Sequence, residues 1–160
     1  MDVILEQWSR ERPDLDVSPM DVLGRLSRAA HLVHARQAQT FARHGLDAAS
    51  FDVLATLRRS GKPYGLTPSE IQRTAMVTSS AIAQRINRLE QAGLVVRSPN
   101  DSDGRATDVT LTAEGLALIE RALPEHVDTE HLLLSVLTSE QRRQLSLLLQ
   151  KLCEPAKGDD

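Results

Sequence analysis

The chain has 160 residues, a net charge of −3 at pH 7 and 41% hydrophobic residues, enough for one domain with its own core. Only four side chains are aromatic, so we expect an aliphatic core, which suits helices. No apolar run approaches the roughly 20 residues that span a bilayer, and the N-terminus lacks the basic-then-apolar pattern of a signal peptide. These features exclude a membrane-spanning helix and lead us to expect a cytoplasmic protein.

The first half of the chain predicts two helices with clear ends. Ser18-Pro19 opens a long helix that runs to His44, where Gly45 supplies the left-handed terminator. Asp47 caps the next helix, which carries an apolar stripe and stops near Ser60-Gly61. Residues 62–66 contain Pro and Gly and predict a loop.

The segment 66–115 predicts a helix-turn-helix followed by a hairpin. Thr67-Pro68-Ser69-Glu70 is a capping box that starts a short helix, and a second helix runs from Thr78-Ser79-Ser80 to Gln91. Strand-forming residues at 94–97 and 107–111 enclose a polar tip. Two short helices followed by such a wing suit a DNA major groove and the backbone beside it. The pattern predicts a mainly α fold with a small β-wing, and a DNA-binding regulator.

Charge alone supports this reading only weakly. Over residues 67–105 the basic side chains exceed the acidic ones by one. We therefore expect salt-dependent binding that relies on geometry and on dimerisation.

The C-terminal part predicts two more helices. Thr112 caps a helix that contains Pro124, which is expected to kink it, and Thr138 opens a capping box followed by a leucine stripe. The apolar run 132–137 and this stripe exceed what a small winged domain can cover, so we expect a symmetric homodimer. The predicted organisation is an N-terminal extension helix and first dimerisation helix at 1–45, a winged helix-turn-helix at 46–112, C-terminal dimerisation helices at 113–153 and a disordered tail at 154–160.

The second helix of the motif has two faces when its residues are placed at about 100° each. Ile82, Ile86 and Leu89 cluster on the buried face, and the opposite face is polar. Gln and Asn can bond adenine, Arg guanine, and Ser a phosphate. Arg85 lies at the border of the buried face, where an arginine forms a structural ion pair or lines a crevice.

Other functions find less support. His31 with His34, and His126 with His131, lack companions for a metal site and are interpreted as surface residues. Cys153 is the single cysteine and lies late in the last helix, which disfavours a disulfide or thiol sensing. Neither a nucleophile elbow, a phosphate-binding glycine loop nor paired carboxylates are present. We expect no enzyme activity, no metal and no cofactor, and keep a winged protein-interaction module without DNA binding as the alternative.

The wing residues 101–105 and the segment 109–115, Val-Thr-Leu-Thr-Ala-Glu-Gly, resemble the MarR family of bacterial winged-helix regulators. The resemblance extends over nearly the whole chain. It implies homodimers that bind pseudo-palindromic promoter DNA, usually as repressors, with Arg105 entering the minor groove. The residues expected to contact DNA are Ser79, Ser80, Gln84, Asn87, Arg88, Asp103 and Arg105.

A narrower resemblance is to the urate-responsive branch of that family, which the matching positions Trp8, Asp52, Arg85 and Arg97 carry. It implies that the two arginines bind urate, a flat monoanion, and that Trp8 provides a wall for its ring. Asp52 would be repelled by the anion and shift its helix, although periodicity alone predicts a solvated acid there. A tricarboxylate such as trans-aconitate is the alternative effector.

Overall fold

The computed structural model describes residues 1–75, 79–99 and 107–154. The α-helices formed by these residues are α1 (Asp2–Glu11), α2 (Ser18–Arg43), α3 (Ala48–Arg59), α4 (Pro68–Thr74), α5 (Ser79–Gln91), α6 (Ala113–Leu133) and α7 (Ser139–Cys153). The strands are β1 (Gly65–Leu66), β2 (Val95–Pro99) and β3 (Thr107–Leu111), and a 3₁₀ turn covers Leu134–Val136. The mainly helical fold with a small sheet confirms the predicted class. The predicted tail lies outside the described residues apart from Glu154.

The predicted helix ends are confirmed where local chemistry determines them. The Thr67 and Thr138 side chains each accept from the backbone N–H three residues on, and Glu70 and Gln141 return the bond. Asp47 caps α3 by accepting from the Ser50 amide at 2.8 Å. Pro124 lies inside α6 without ending it.

The sheet contains one strand more than the sequence predicted. Its order is β1-β3-β2, with antiparallel neighbours throughout. The short strand β1 falls in the segment interpreted as a loop. It forms because Gly65 and Leu66 pair with Thr110 and Val109, which lie far away in the chain. A strand of two residues is too short to show an alternating pattern in the sequence.

The core lies under the helix-turn-helix, where α3, α5, α6 and the sheet meet. Val53, Leu54 and Leu57 of α3 are fully buried, and Ile71 of α4 and Val109 of β3 join them. These aliphatic side chains hold the second helix of the motif against the rest of the domain, since burial of each stabilises the fold by roughly 1.5–3 kcal/mol.

Gly115 lets the start of α6 approach the backbone at Gly93 and Leu94, just after α5. A Cβ atom at this position would lie 1.9 Å from the Leu94 carbonyl oxygen. The Thr112 amide donates to that same oxygen at 3.1 Å, and the Thr112 hydroxyl donates to the Gly93 carbonyl at 2.7 Å. Glycine is therefore required at position 115 for α6 to be anchored beside β2.

The terminal helices are covered much less completely. Neither α1 nor α7 has a buried residue. Leu132, Val136 and Leu148 are 74%, 84% and 64% exposed. Within the described ranges, none of the helices combines the length and the apolar character that crossing a bilayer requires.

Candidate functional site

Helix α5 presents one buried and one exposed face, as its sequence predicts. Ile82, Ile86 and Leu89 are at most 3% exposed, whereas Gln84, Asn87 and Arg88 are exposed. The polar face therefore points away from the core. Of the other residues expected to contact DNA, Asp103 and Arg105 lie outside the described residues, as do the side chains of Ser79 and Ser80.

Helix α4, which precedes α5 in the helix-turn-helix, is anchored by contacts of its own. Its capping box satisfies the first amides, and Ile71 anchors it in the core. Arg59, at the end of α3, donates to the Thr74 carbonyl and so binds the last turn of α4. These contacts fix α4 against the core and against the end of α3.

Arg85 leaves the polar face of α5 and turns towards the start of α3. Its side chain is only 19% exposed, and its Nη1 donates to the Asp47 carboxylate. Its Nε is buried and, among the described residues, has no hydrogen-bond acceptor. Position 85 was predicted to hold either an ion pair or a ligand-binding arginine, and this geometry provides the pair while leaving one donor unused.

Asp47 is held in its charged form. Burial acts to raise its pKa, but bonds from the Ser50 amide and side chain and the charges of Arg85 and Arg88 outweigh it, so the pKa is lowered. This carboxylate therefore caps α3 and anchors α5 at the same time. Sequence reasoning identified Asp47 as a cap but missed its second role, because Arg85 is 38 residues away.

Arg97 connects the wing to α5. It extends from β2, is 31% exposed, and its Nη1 donates to the Glu90 carboxylate. Its Nη2 donates to the Asn87 Oδ1 atom at 2.7 Å. One guanidinium of the wing strand β2 thus holds two residues of α5, the second helix of the helix-turn-helix, which is called the recognition helix below.

Asp52 lines a surface pocket of about 460 Å³ between α3 and α6. It is half-buried, which differs from the solvated acid that periodicity alone predicts. Phe51, Ala55 and Leu123 supply apolar walls. The polar lining residues are Asp52, Arg58, Arg59, Glu120 and His126.

His31, His34 and His131 are exposed, as interpreted, but His126 is not a surface residue. Its side chain is 15% exposed and its ring packs against Phe41 and Phe51, with ring centroids 5.2 and 4.7 Å away. Its Nε2 lies 3.1 Å from Glu130, and its Nδ1 is buried without a hydrogen-bond partner in the described part of the chain. The aromatic contacts join α2, α3 and α6, a long-range arrangement with no local sequence signal.

Trp8 lies on α1, where it lines a separate pocket with Gln7, Arg10 and Glu11. Neither Arg85 nor Arg97 lines this pocket or the one that contains Asp52. Within one protomer these two pockets therefore do not bring the four predicted anion-binding residues together, and that site stays a prediction. The structure brings Arg85 and Arg97 instead to two sides of the recognition helix.

Comparison with known proteins places this geometry in a family. Residues 44–106 match the model of the MarR family. The HTH-type transcriptional regulator PecS of Dickeya dadantii (strain 3937) is 45% identical over 91% of this chain and 88% of its own length.

Solved structures agree with that match. The MarR family regulator Sco3205 from Streptomyces coelicolor, in complex with DNA, superposes with a TM-score of 0.79 and 27% identity, covering 91% of this chain and 93% of that one. Bordetella bronchiseptica BpsR, whose DNA binding is regulated by 6-hydroxynicotinic acid, superposes with a TM-score of 0.75 and 28% identity, covering 84% and 94%.

Proposed function

From the premise that the chain belongs to the MarR family of winged-helix DNA-binding transcriptional regulators, we propose that it is a homodimeric repressor that a small flat anion such as urate releases from promoter DNA. The observation that carries the effector part is the pair of half-buried arginines on either side of α5. Each is held by an acid that an anion could replace.

Arg85 supports an anionic effector most directly. Its buried Nε has no acceptor in the described residues, and its Nη1 is bonded to Asp47. A buried guanidinium donor without a partner costs free energy. An anion with two neighbouring acceptor atoms would satisfy it through a charge-assisted fork.

The consequence for DNA follows from what the two arginines connect. Arg85 joins α5 to the start of α3, and Arg97 joins α5 to β2. An anion that binds one of these guanidiniums replaces the carboxylate that holds it and so removes that connection, and the predicted repulsion of Asp52 would act on α3. The recognition helix then moves relative to α3 or the wing, and DNA binding weakens provided that the anion prefers this released state.

The class of anion is supported by the chemistry of a relative. 6-Hydroxynicotinic acid, which regulates BpsR, is, like urate, a flat nitrogen-containing ring with an acidic group. Trans-aconitate offers carboxylates without a ring. We propose the flat heterocycle because Trp8 supplies a face on which a ring can stack.

Dimerisation is proposed from the uncovered leucines. Leu148 lies on α7, which has no buried residue, and Leu132 and Val136 are the most exposed apolar side chains of the preceding segment. We expect a dimer in sedimentation analysis, and Leu148→Glu to shift it to monomer. Gln150→Glu adds the same charge about 200° around the helix and should leave the dimer intact. A wild-type protein that stays monomeric at the concentrations at which it binds DNA would contradict the proposal.

The effector proposal is tested by fluorescence anisotropy. A labelled duplex from the gene's own upstream region is saturated with protein at fixed salt and titrated with urate. We expect release. Arg85→Ala also lacks the bond to Asp47, so we expect it to bind the duplex more weakly than wild type but to show little further loss of affinity when urate is added. Arg43→Ala, which removes an arginine bonded to Glu125 on another face, is the matched control and should behave like wild type.

The outcomes separate the parts of the proposal. If DNA stays bound at about millimolar urate, the urate assignment fails, and 6-hydroxynicotinic acid and trans-aconitate are titrated next. Trp8 is the single tryptophan of the chain, so its fluorescence reports the proposed stacking. Urate binding without any change in that fluorescence would show that Trp8 does not belong to the site.

A further inference from the structure

Arg97 contacts the recognition helix at a residue expected to read DNA. Its two terminal nitrogens donate to neighbouring positions of α5, Nη1 to Glu90 and Nη2 to the Asn87 Oδ1 atom at 2.7 Å. Positions 87 and 90 are three residues apart and therefore lie on the same side of the helix. One planar guanidinium can span both.

The orientation of the Asn87 amide follows from the chemistry of arginine. A guanidinium carries only donors, so the amide must turn its oxygen towards Arg97 and its NH₂ group away. Asn87 is exposed, and its NH₂ group is then directed out of the contact. A free asparagine can instead present its oxygen and nitrogen together, as in the bidentate pairing with adenine.

We propose that Arg97 is a positioning residue for DNA recognition, which fixes the Asn87 amide so that its NH₂ donors face a hydrogen-bond acceptor of the operator. The acceptor is either a base edge, with guanine N7 and O6 the best match, or a phosphate oxygen. This inference rests on the DNA-binding function but is independent of the effector's identity.

Glu90 completes the arrangement by holding Arg97. The carboxylate is 37% exposed and pairs with Nη1, so the guanidinium is kept beside α5 instead of extending into solvent. Because β2 carries Val95 in the core and Arg97 two residues later on the same strand face, the strand also fixes where the arginine starts. Strand, acid and amide thus form one rigid connection.

The proposal predicts that Arg97 and Asn87 act on DNA as one unit. In anisotropy titrations we expect Asn87→Ala to weaken operator binding about tenfold for each half-site of the dimer, as for the loss of one good base contact. We expect Arg97→Gln to weaken it by a similar factor. The double variant should be weakened no more than either single variant, about tenfold for each half-site, whereas independent residues would give about a hundredfold loss for each half-site.

Selection of binding sites from a randomised duplex gives a readout that a merely structural role would not move. If the acceptor is a base, Asn87→Ala and Arg97→Gln lose preference at the same base position. If it is a phosphate, both weaken all sequences equally. Either result supports the inference when the double-variant effect is non-additive.

Other results would overturn it. These are additive effects, an Asn87→Ala variant with wild-type affinity, or an Arg97→Gln variant that lowers the salt slope of binding by about one, the signature of an arginine that itself contacts phosphate. A wild-type protein that fails to bind its upstream duplex would instead contradict the proposed function.

Folding is controlled with two further variants. Arg97→Lys keeps the charge but lacks the fork that reaches both acceptors, so it should recover only part of the lost affinity. Arg43→Gln removes an arginine bonded to a carboxylate and to Thr40 on another face and should bind DNA like wild type. Thermal unfolding followed by circular dichroism checks that each variant is folded.

Discussion

The winged-helix region and the terminal helices differ in how completely one chain covers them. Leu54, Ile71 and Val109 of the winged region are 0% exposed. The terminal segments hold residues such as Leu132 and Leu148, which remain largely exposed. The winged-helix region buries its apolar side chains within one chain. The terminal segments leave many of theirs exposed, and only contact with another surface would cover them.

The largest test of this difference is the removal of matched leucine side chains. Leu54→Ala should destabilise the fold by about 2–5 kcal/mol, because it leaves a cavity in a fully packed core. Leu148→Ala should cost less in the monomer, and its effect should grow with protein concentration as the dimer forms. Urea unfolding at several protein concentrations measures both. Equal losses in the free energy of unfolding that do not depend on protein concentration would contradict the difference in coverage between the two regions.

Glycines test the same comparison at the backbone. Gly115→Ala places a methyl group against the Leu94 carbonyl, and we expect a loss of about 1–3 kcal/mol from overpacking. Gly24, in α2, would meet only the flexible end of the Met1 side chain. Gly24→Ala should therefore be neutral or stabilising by up to about 1 kcal/mol, given the low helix propensity of glycine. Midpoints of thermal unfolding distinguish the two, and a reversed order would contradict the packing at α6.

The two capping boxes sharpen the comparison, since Thr67 opens α4 in the winged region and Thr138 opens α7 at the terminus. Each Thr→Ala change removes one cap, worth typically about 1 kcal/mol. Thr67→Ala should weaken DNA binding as well as stability, because α4 belongs to the motif. Thr138→Ala should lower stability while leaving the DNA affinity of the dimer close to wild type, as parallel unfolding and anisotropy experiments can show.

The smallest expected effect concerns pH and Asp47. Its lowered pKa means that the folded state favours the charged form, so its stabilising contribution is present above the ordinary value of 3.8. This contribution is lost as pH falls below that value and towards the pKa of the folded state. Asp47→Asn keeps a capping side chain but loses the charge that binds Arg85. We therefore expect a shallower acid-side decline in stability than in wild type, and an identical decline would show that the pair with Arg85 contributes nothing.

The elements whose causes are local were predicted closely. Thr67, Thr138 and Gly45 mark helix ends through contacts within a few residues, and the structure confirms them. The apolar spacing of Ile82, Ile86 and Leu89 assigned the buried face of α5 in the same way. Strand β1 was missed because its two residues depend on a partner strand that comes about 45 residues later.

For the candidate site, the sequence predicted which residues of α5 are exposed, whereas the fold determines which other side chains they contact. Gln84, Asn87 and Arg88 are exposed on α5 as periodicity predicts. Periodicity could not show that Arg97 engages Asn87, nor that Asp52 borders a pocket of α6. Those contacts depend on how strands and helices pack.

By itself, the sequence determined helices α2 to α7, the polar face of the recognition helix and the winged helix-turn-helix that places this chain in the MarR family. It also determined four side-chain caps, at Asp47, Thr67, Thr112 and Thr138. These features follow from interactions at spacings of three or four residues, which a linear pattern records. Only the tertiary structure decided that Asp47 holds Arg85 and that Arg97 holds Glu90 and Asn87. A charged side chain pairs with the acceptor that packing brings within reach. When the acceptor lies on another helix or strand, its identity depends on the three-dimensional distance and not on the spacing in the sequence.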